Sequence, residues 1–269
     1  MGLQHLSCLP LNLAFTYDEE IGCVGIRDLL EVMERMPVQP RWAIIGEPTG
    51  MQVVTAHKGK VACRLTVTGR EGHSSNPDAG VNAIDVAAEA MAFLREMAHG
   101  CRHDGMADHG YAYPWTSFHV GRIEGGTAVN IIPGTCWFDF EIRNLPEEDG
   151  AAFLESYRGF IEGALRQRVR DVDPACDVRM DVVSSYPGLR TDTNSDLVTF
   201  ATRLADAPAT GKVAFGTEAG MIQRRLGTDC VVCGPGFIDQ AHQPDEYVEV
   251  EQLEHCERFL REVIRALRR

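Results

Sequence analysis

The pattern of predicted secondary-structure elements changes twice along the chain, from α/β to α+β and back to α/β. This change is the sequence feature that constrains the fold most. Residues 57–184 alternate strands and amphipathic helices in the order β-α-β-β-α-β, and the strand at 135–143 (TCWFDFEIR) places an apolar side chain at every second position. That order is typical of a ferredoxin-like α+β domain. The flanking parts, 1–56 and 185–269, combine short apolar strands with helices, which is typical of an α/β domain. We therefore predict an α/β domain that carries an α+β insert.

Several segments outside and inside the insert have readable patterns. Residues 11–17 (LNLAFTY) and 42–45 (WAII) are short apolar runs, and we predict a buried strand for each. Between them, 26–36 repeats apolar residues at intervals of three and four, so we predict a helix and, with the two strands, one β-α-β unit of a parallel sheet. Recurring glycines predict a loop over 99–114. A further short strand is predicted over 212–215.

The charge and the cysteine content limit the partners and the compartment. The chain has 26 Lys and Arg against 39 Asp and Glu, which gives a formal net charge of −13. Phosphate backbones and anionic lipid surfaces select basic patches, so we expect neither a nucleic acid nor a membrane as partner. No run of about 18 apolar residues is present that would cross a membrane. The nine cysteines are odd in number and scattered, which favours a reducing cytoplasm over a disulfide scaffold.

Acidic residues follow two of the predicted strands. Glu19 and Glu20 come just after the first strand, and Glu47 comes one residue after the second. Ligands of open α/β sheets bind at the carboxyl ends of strands, which favours a site here. Taken singly, Glu19 and Glu20 are better explained as part of a solvated turn, Glu47 as an acid at a helix N-terminus, and His242 as a surface residue in a loop. Taken together, three carboxylates and one imidazole suit Zn²⁺ or Mn²⁺.

Two further motifs each have a functional and a structural interpretation. His73 lies among small residues (GHSSNP) in the predicted insert, where it is either a ligand contact or an ordinary loop residue. Cys230 and Cys233 have the CxxC spacing of metal and redox pairs. They fall within an apolar strand, in which residues three apart point to opposite faces, so we predict core packing for both. The templates for phosphate-binding loops, dinucleotide sites and serine hydrolases are absent from the sequence.

Six short motifs occur in one order along the whole chain, and together they resemble one family. They are YDEEIG at 17–22, GEPT at 46–49, GHSS at 72–75, NIIP at 130–133, FGTEAG at 215–220 and AHQPDEY at 241–247. This series resembles the acetylornithine deacetylase and succinyl-diaminopimelate desuccinylase family of dinuclear zinc amidohydrolases. The resemblance implies a zinc-peptidase-like catalytic domain, formed by 1–56 and 185–269, with a lid and dimerisation domain at 57–184.

The resemblance also implies roles for individual residues. Two zinc ions would be bound, with cobalt or manganese as possible substitutes, and the chain would form a homodimer through the insert. Glu19 would be the general base, and His73 would reach a partner subunit's active site and donate a hydrogen bond to the oxyanion. The implied residues are Glu19 as the base and His73 as the oxyanion donor; Glu20 and His242 as ligands of one metal and Glu47 of the other; Asn130, Gly216, Thr217 and Glu218 as substrate contacts; and Arg143 as a structural or substrate contact.

The activity implied by the resemblance is hydrolysis of N-acetyl-L-ornithine to L-ornithine and acetate, a step of arginine biosynthesis, in the cytoplasm. N-succinyl-diaminopimelate or another N-acyl amino acid is the alternative substrate. The family also carries an H-x-D motif and an Asp that bridges the two metals, and this sequence contains neither motif. We therefore expect that the chain as given lacks the family's N-terminal segment, binds zinc weakly and is nearly inactive. A non-catalytic protein that dimerises through the insert is the second functional class.

Overall fold

The protein is described by a computed structural model over residues 10–207 and 210–268. It divides into two compact units: a discontinuous unit, made of residues up to His57 and from Gly188 onward, and the insert, Lys58–Pro187. The helices are α1 (Ile26–Glu34), α2 (Ala83–His103), α3 (Gly150–Phe160), α4 (Arg166–Val172), α5 (Asp196–Leu204), α6 (Ala219–Leu226) and α7 (Val250–Leu267). The strands are β1 (Trp42–Ile45), β2 (Val53–His57), β3 (Lys60–Thr68), β4 (Gly72–His73), β5 (Ser117–Gly125), β6 (Ile131–Ile132), β7 (Thr135–Arg143), β8 (Asp177–Tyr186), β9 (Leu189–Arg190), β10 (Thr210–Val213) and β11 (Asp229–Val232).

The insert is a four-stranded antiparallel sheet with helices packed on one face. Its strand order is β5-β7-β3-β8, which is the ferredoxin-like topology that the sequence predicts. In β3 and β7 every second residue is buried, because successive side chains of a strand point to opposite faces. The buried set, which includes Leu65 and Phe138, packs against Leu94 of α2 and Tyr157 of α3 in one core.

Helix α2 begins and ends at well-defined positions. At its start, Oδ1 of Asn82 accepts a hydrogen bond from the backbone N–H of Ile84 at 2.9 Å, which caps the helix. At its end, the loop predicted over 99–114 is wrong in its first part, because the helix continues through Gly100 to His103. A glycine inside a helix costs only about 1 kcal/mol relative to alanine, and burial of Cys101 one residue later offsets that cost.

The discontinuous unit contains a mixed sheet rather than the predicted parallel one. The order is β1-β11-β2-β10, with β9 beside β2. The pairs β1–β11 and β2–β10 are parallel, whereas β2 is antiparallel to both β11 and β9. Strand β2 was not predicted, although all five of its residues are buried. The strand predicted over 212–215 begins two residues earlier, at Thr210. Helices α5 and α7 pack against this sheet around Val198 and Phe259.

The strand predicted over residues 11–17 is wrong. This segment has no regular secondary structure, and the side chains of Leu13 and Phe15 are 77% and 89% exposed. An apolar run becomes a strand only where a neighbouring strand completes its hydrogen bonds, and within the described residues no strand pairs with this one. The predicted helix is present as α1, which ends at Glu34, and the predicted second strand is present as β1, which is half-buried rather than buried. Because residues 11–17 form no strand, the predicted β-α-β unit is wrong. None of the described helices combines the length and apolar character needed to cross a membrane.

Candidate functional site

Four carboxylates come together in the discontinuous unit, around Glu47. Glu47 follows β1 after a single glycine, and its side chain is half-buried. Burial first, and then the nearby carboxylates of Glu19, Glu20 and Glu218, together raise the pKa of this carboxyl to about 7. Like charges at close range disfavour ionisation. The sequence motifs at 17–22, 46–49 and 215–220 therefore meet in one acidic cluster, which we define as Glu19, Glu20, Glu47 and Glu218.

A tight turn presents Glu19 and Glu20. The backbone N–H groups of Gly22 and Cys23 donate to the carbonyl oxygen of Glu19 at 2.9 and 2.8 Å, and Cys23 has a positive φ of 55°. This backbone directs the buried Cys23 thiol onto Glu19, where Sγ donates to Oε1 at 3.3 Å. Burial, and next the charge of Glu19, raise the pKa of the Cys23 thiol far above its usual range, so the thiol keeps its proton and remains a donor.

Glu218 enters the acidic cluster from the start of α6. The residue is 7% exposed, and Oε2 accepts a hydrogen bond from Oγ1 of Thr16 at 2.8 Å. The other oxygen, Oε1, is buried and has no hydrogen-bond partner among the described residues. Burial is the main cause that raises the pKa of Glu218, and the charge of Glu19 adds to it. Gly216 and Thr217 precede Glu218, and Oγ1 of Thr217 accepts from the N–H of Ala219 at 3.1 Å.

His242 joins the cluster through Glu20. Its Nε2 lies 3.3 Å from Oε2 of Glu20, and both side chains are largely exposed. His242 has a positive φ of 60°, and its backbone N–H donates to Oε2 of Glu246 at 3.0 Å. A β-carbon on Gly234 would lie only 2.5 Å from the carbonyl oxygen of Glu47. Glycine at 234 therefore lets the loop that leads to His242 pass directly beside Glu47.

The donor set suits a borderline divalent metal in kind, although not in number. Carboxylate oxygen and imidazole nitrogen are both ligands of zinc and manganese, and the unpartnered Oε1 of Glu218 is an acceptor facing no donor. Across residues 10–207 and 210–268, however, no three His, Cys, Asp or Glu side chains are grouped closely enough to hold an ion. Glu20 and His242 are the pair that the structure brings together, whereas catalytic zinc normally has three protein ligands.

His73 and Asn130 lie side by side in the insert. They belong to a small ribbon in which β4 pairs with β6 and the N–H of Ser74 donates to the carbonyl oxygen of Asn130 at 3.1 Å. Nδ1 of His73 accepts from the backbone N–H of Ser75 at 3.2 Å. In the neutral ring the proton is then on Nε2. Both side chains are exposed, so His73 presents Nε2–H as a donor.

Arg143 and the cysteines have structural contacts. Nε of Arg143 donates to Oε1 of Glu141 at 2.7 Å. Cys230 and Cys233 are buried, with their thiols directed at the carbonyl oxygens of Thr228 and Met51. The predicted core packing of this pair is therefore confirmed. The eight described cysteines are all free, and Cys8 lies outside the described residues.

Two residues of the site, Thr16 and Cys23, were not predicted from the sequence. Cys23 follows Glu19 by four residues, and a small side chain in a turn with glycine beside it is the signal that was available. Thr16 is 202 positions away from Glu218, and no local pattern indicates that pairing.

Known proteins match this chain both in its insert and over most of its length. Residues 55–169 match the peptidase dimerisation domain of the M20 type. Acetylornithine deacetylase from Myxococcus xanthus is 38% identical over 252 residues, which are 93% of this chain and 63% of that protein. The chain thus spans less than two thirds of the length of this relative.

Solved structures agree with the fold. Aminopeptidase PepT from Bacillus cereus is 24% identical, with a TM-score of 0.69 over 94% of this chain and 63% of the peptidase. The YXEP protein from Bacillus subtilis, described as a dinuclear metal-binding peptidase of the M20 family, is 15% identical, with a TM-score of 0.62 over 93% of this chain and 63% of that protein. The chain is therefore similar in sequence to acetylornithine deacetylases over nine-tenths of its own length, shares the fold of these solved structures, and contains a segment that matches a peptidase dimerisation domain.

Proposed function

We propose that the protein is a metal-dependent amidohydrolase that cleaves N-acetyl-L-ornithine to L-ornithine and acetate, a step of arginine biosynthesis. The acidic cluster carries this proposal, because burial and neighbouring carboxylates raise the pKa of Glu47 and of Glu218, and such carboxylates are costly without a cation. Homology to acetylornithine deacetylases over nine-tenths of the chain supports the substrate.

Glu20 and His242 are proposed to hold one zinc ion and Glu47 the other, with cobalt or manganese as substitutes. Bound zinc would lower the pKa of water and polarise the acyl carbonyl. The YXEP protein from Bacillus subtilis is described as a dinuclear metal-binding peptidase, which supports the use of two ions. The carboxylate and imidazole donors fit zinc.

Proton transfer is assigned to Glu19. Its carboxylate takes the proton of the attacking water and delivers it to the leaving amine. The thiol of Cys23 holds Oε1 of Glu19 at 3.3 Å, which limits the rotation of the base. His73 is proposed to donate from Nε2 to the developing oxyanion in the active site of a second subunit. The free Nε2–H that follows from its contact with Ser75 supports this role.

Substrate binding is assigned to four residues on two segments. Glu218 has an unpartnered buried oxygen, which suits the ammonium group of a basic amino acid. Gly216 and Thr217 precede it at the start of α6, and Asn130 lies beside His73. We propose these as the substrate contacts, with N-succinyl-diaminopimelate and other N-acyl amino acids as the alternatives.

The assembly and the compartment are also proposals. A match to a peptidase dimerisation domain over residues 55–169 supports a homodimer formed through the insert. The net charge of −13 disfavours nucleic acid and anionic membranes as partners, and eight free cysteines suit the reducing cytoplasm.

The test is an assay of the protein purified from its native cell, in the length it has there. We expect release of ornithine from N-acetyl-L-ornithine in the presence of zinc, faster than cleavage of N-succinyl-diaminopimelate. Glu19→Gln should abolish turnover while zinc binding persists, and Glu254→Gln, an exposed glutamate of α7, should change neither. Zinc binding without hydrolysis of any N-acyl amino acid would contradict the proposal.

One observation favours a second candidate, a non-catalytic protein that dimerises through the insert. The described residues contain no group of three possible metal ligands. For the 269-residue chain alone we therefore expect weak zinc binding and a rate near that of the uncatalysed reaction. A normal enzymatic rate from this chain alone would contradict that expectation and remove the second candidate.

A further inference from the structure

Helix α2 presents two histidines on its solvent face, in the insert and outside the site described above. His99 and His103 are four residues apart, and residues at that spacing lie one above the other on a helix. Their rings are stacked, with centroids 5.7 Å apart and planes 15° from parallel. Both side chains are exposed, whereas Leu94 and Cys101 of the same helix are buried.

Both imidazoles are available to an external ligand. Within the described part of the chain, neither ring has a hydrogen bond or an ion pair, and the ring contact of each is with the other. The guanidinium of Arg102, which precedes His103, lies over the ring of Trp115 at 5.4 Å from the centroid. The arginine is thus engaged with a different residue, and the pair keeps its ring nitrogens for binding.

The spacing of the rings suits one shared metal ion. Two imidazole nitrogens that bind the same zinc each lie about 2.0–2.1 Å from it, so they are separated by at most about 4.2 Å. Rings with centroids 5.7 Å apart reach that separation by side-chain rotation, without movement of the helix. The end of a helix also carries a partial negative charge that favours a cation, and both histidines lie in the last two turns of α2.

We propose that His99 and His103 form a binding site for one borderline divalent cation, of the class Cu²⁺, Ni²⁺ or Zn²⁺. Imidazole is a ligand that these ions share. No third His, Cys, Asp or Glu completes the group among the described residues, so water fills the remaining positions. A site with two protein ligands exchanges its ion and binds it less tightly than a structural site with four.

The test uses the full chain and a signal that reports position. In a ¹⁵N-labelled sample at pH 7.5, substoichiometric Cu²⁺ should broaden the backbone amide signals of Gly100 and Asp104, which lie next to the two histidines. Titration calorimetry with Ni²⁺ gives the affinity. Because two linked ligands bind one ion cooperatively, His99→Ala and His103→Ala should each weaken binding by about tenfold or more.

Two controls separate chelation from nonspecific binding. His119→Ala removes an exposed histidine of β5 and should leave both readouts unchanged. The variant His99→Ala with Gly100→His moves one imidazole to three residues before His103, still on the same face, and a β-carbon at 100 meets no atom within 4 Å; it should recover the affinity. Unchanged broadening or affinity in the His99→Ala/His103→Ala double variant would overturn the proposal, as would a loss in His119→Ala equal to that in His99→Ala.

Discussion

Replacing Glu47 by glutamine should stabilise the metal-free protein at alkaline pH. The pKa of Glu47 rises from 4.5 to about 7 in the folded chain, so between these pH values the folded chain binds a proton that the unfolded chain has lost. The free energy of unfolding therefore falls as the pH rises from about 4.5 to 7 and stays low above it. At 1.36 kcal/mol for each pKa unit, the difference corresponds to about 3 kcal/mol.

The measurement is urea unfolding in the presence of EDTA at pH 8 and at pH 4. Glutamine has nearly the shape of glutamate without the charge, so Glu47→Gln should unfold with about 3 kcal/mol more free energy than the wild type at pH 8. At pH 4 the two proteins should be nearly equal, because Glu47 is then protonated in both states. The control Glu254→Gln, at an exposed position on α7, should stay within about 0.5 kcal/mol at both pH values.

Two results would refute this reasoning. If Glu47→Gln is no more stable than the wild type at pH 8, burial and the neighbouring carboxylates do not penalise the charged form. If it is equally stabilised at pH 4 and pH 8, the gain comes from packing or hydrogen bonding rather than from ionisation.

Three further predictions use other parts of the molecule. Zinc at pH 8 should stabilise the wild type more than Glu47→Gln, since binding to the folded state adds RT ln(1 + [L]/Kd); equal gains in the melting temperature would exclude Glu47 as a ligand. Lys58 is buried and donates to the carbonyl oxygens of Tyr113 and Trp115, so Lys58→Met should cost about 2 kcal/mol or more in urea unfolding at pH 7, whereas Lys60→Met, which loses a half-exposed pair with an acid, should cost about 1 kcal/mol or less; similar losses would contradict the role of the buried amine. Asn82→Ala should cost about 1 kcal/mol through loss of the α2 cap, and an unchanged urea midpoint would show that the cap contributes nothing.

The insert was predictable because its signals are local. In β7 the alternation of Cys136, Phe138, Phe140 and Ile142 with polar residues defines both the strand and its buried face, and the predicted bounds of 135–143 match the structure. Helix α7 (Val250–Leu267) is defined in the same local way, because apolar residues at helical spacing define one face. In these elements, the pattern that defines the strand or helix lies within one short stretch of the sequence.

The discontinuous unit was less predictable because its strands depend on partners far along the chain. Residues 11–17 are as apolar as β1, yet only β1 has a neighbouring strand, β11, more than 180 residues later. The strand β2 was missed for the complementary reason. Thr55 and His57 are polar residues, which do not indicate a core strand, but neighbouring strands on both sides of β2 bury them.

The acidic cluster was predictable in membership but not in geometry. The family resemblance placed Glu19, Glu47 and Glu218 in one predicted site. The raised pKa of Glu47 agrees with this, because the charges of Glu19 and Glu218 contribute to it. The contacts that orient these acids were invisible in the sequence. The thiol of Cys23 reaches Glu19 through a residue with positive φ, and such a backbone conformation is set by tertiary packing rather than by local propensity.

The energetic cost of the acidic cluster bears on which of the two proposed functions is correct. About 3 kcal/mol is a large fraction of the 5–15 kcal/mol by which a typical domain is stable, and a single Glu47→Gln change would recover it. In a non-catalytic protein that only dimerises, nothing offsets this loss of stability. In a metal-binding site, the bound cation offsets it. The glycine at 234, which leaves no room for a side chain beside Glu47, and the thiol that holds Glu19 keep the carboxylates in a costly arrangement. The arrangement therefore favours the hydrolase, and a metal-free chain that loses nothing at alkaline pH would favour the alternative.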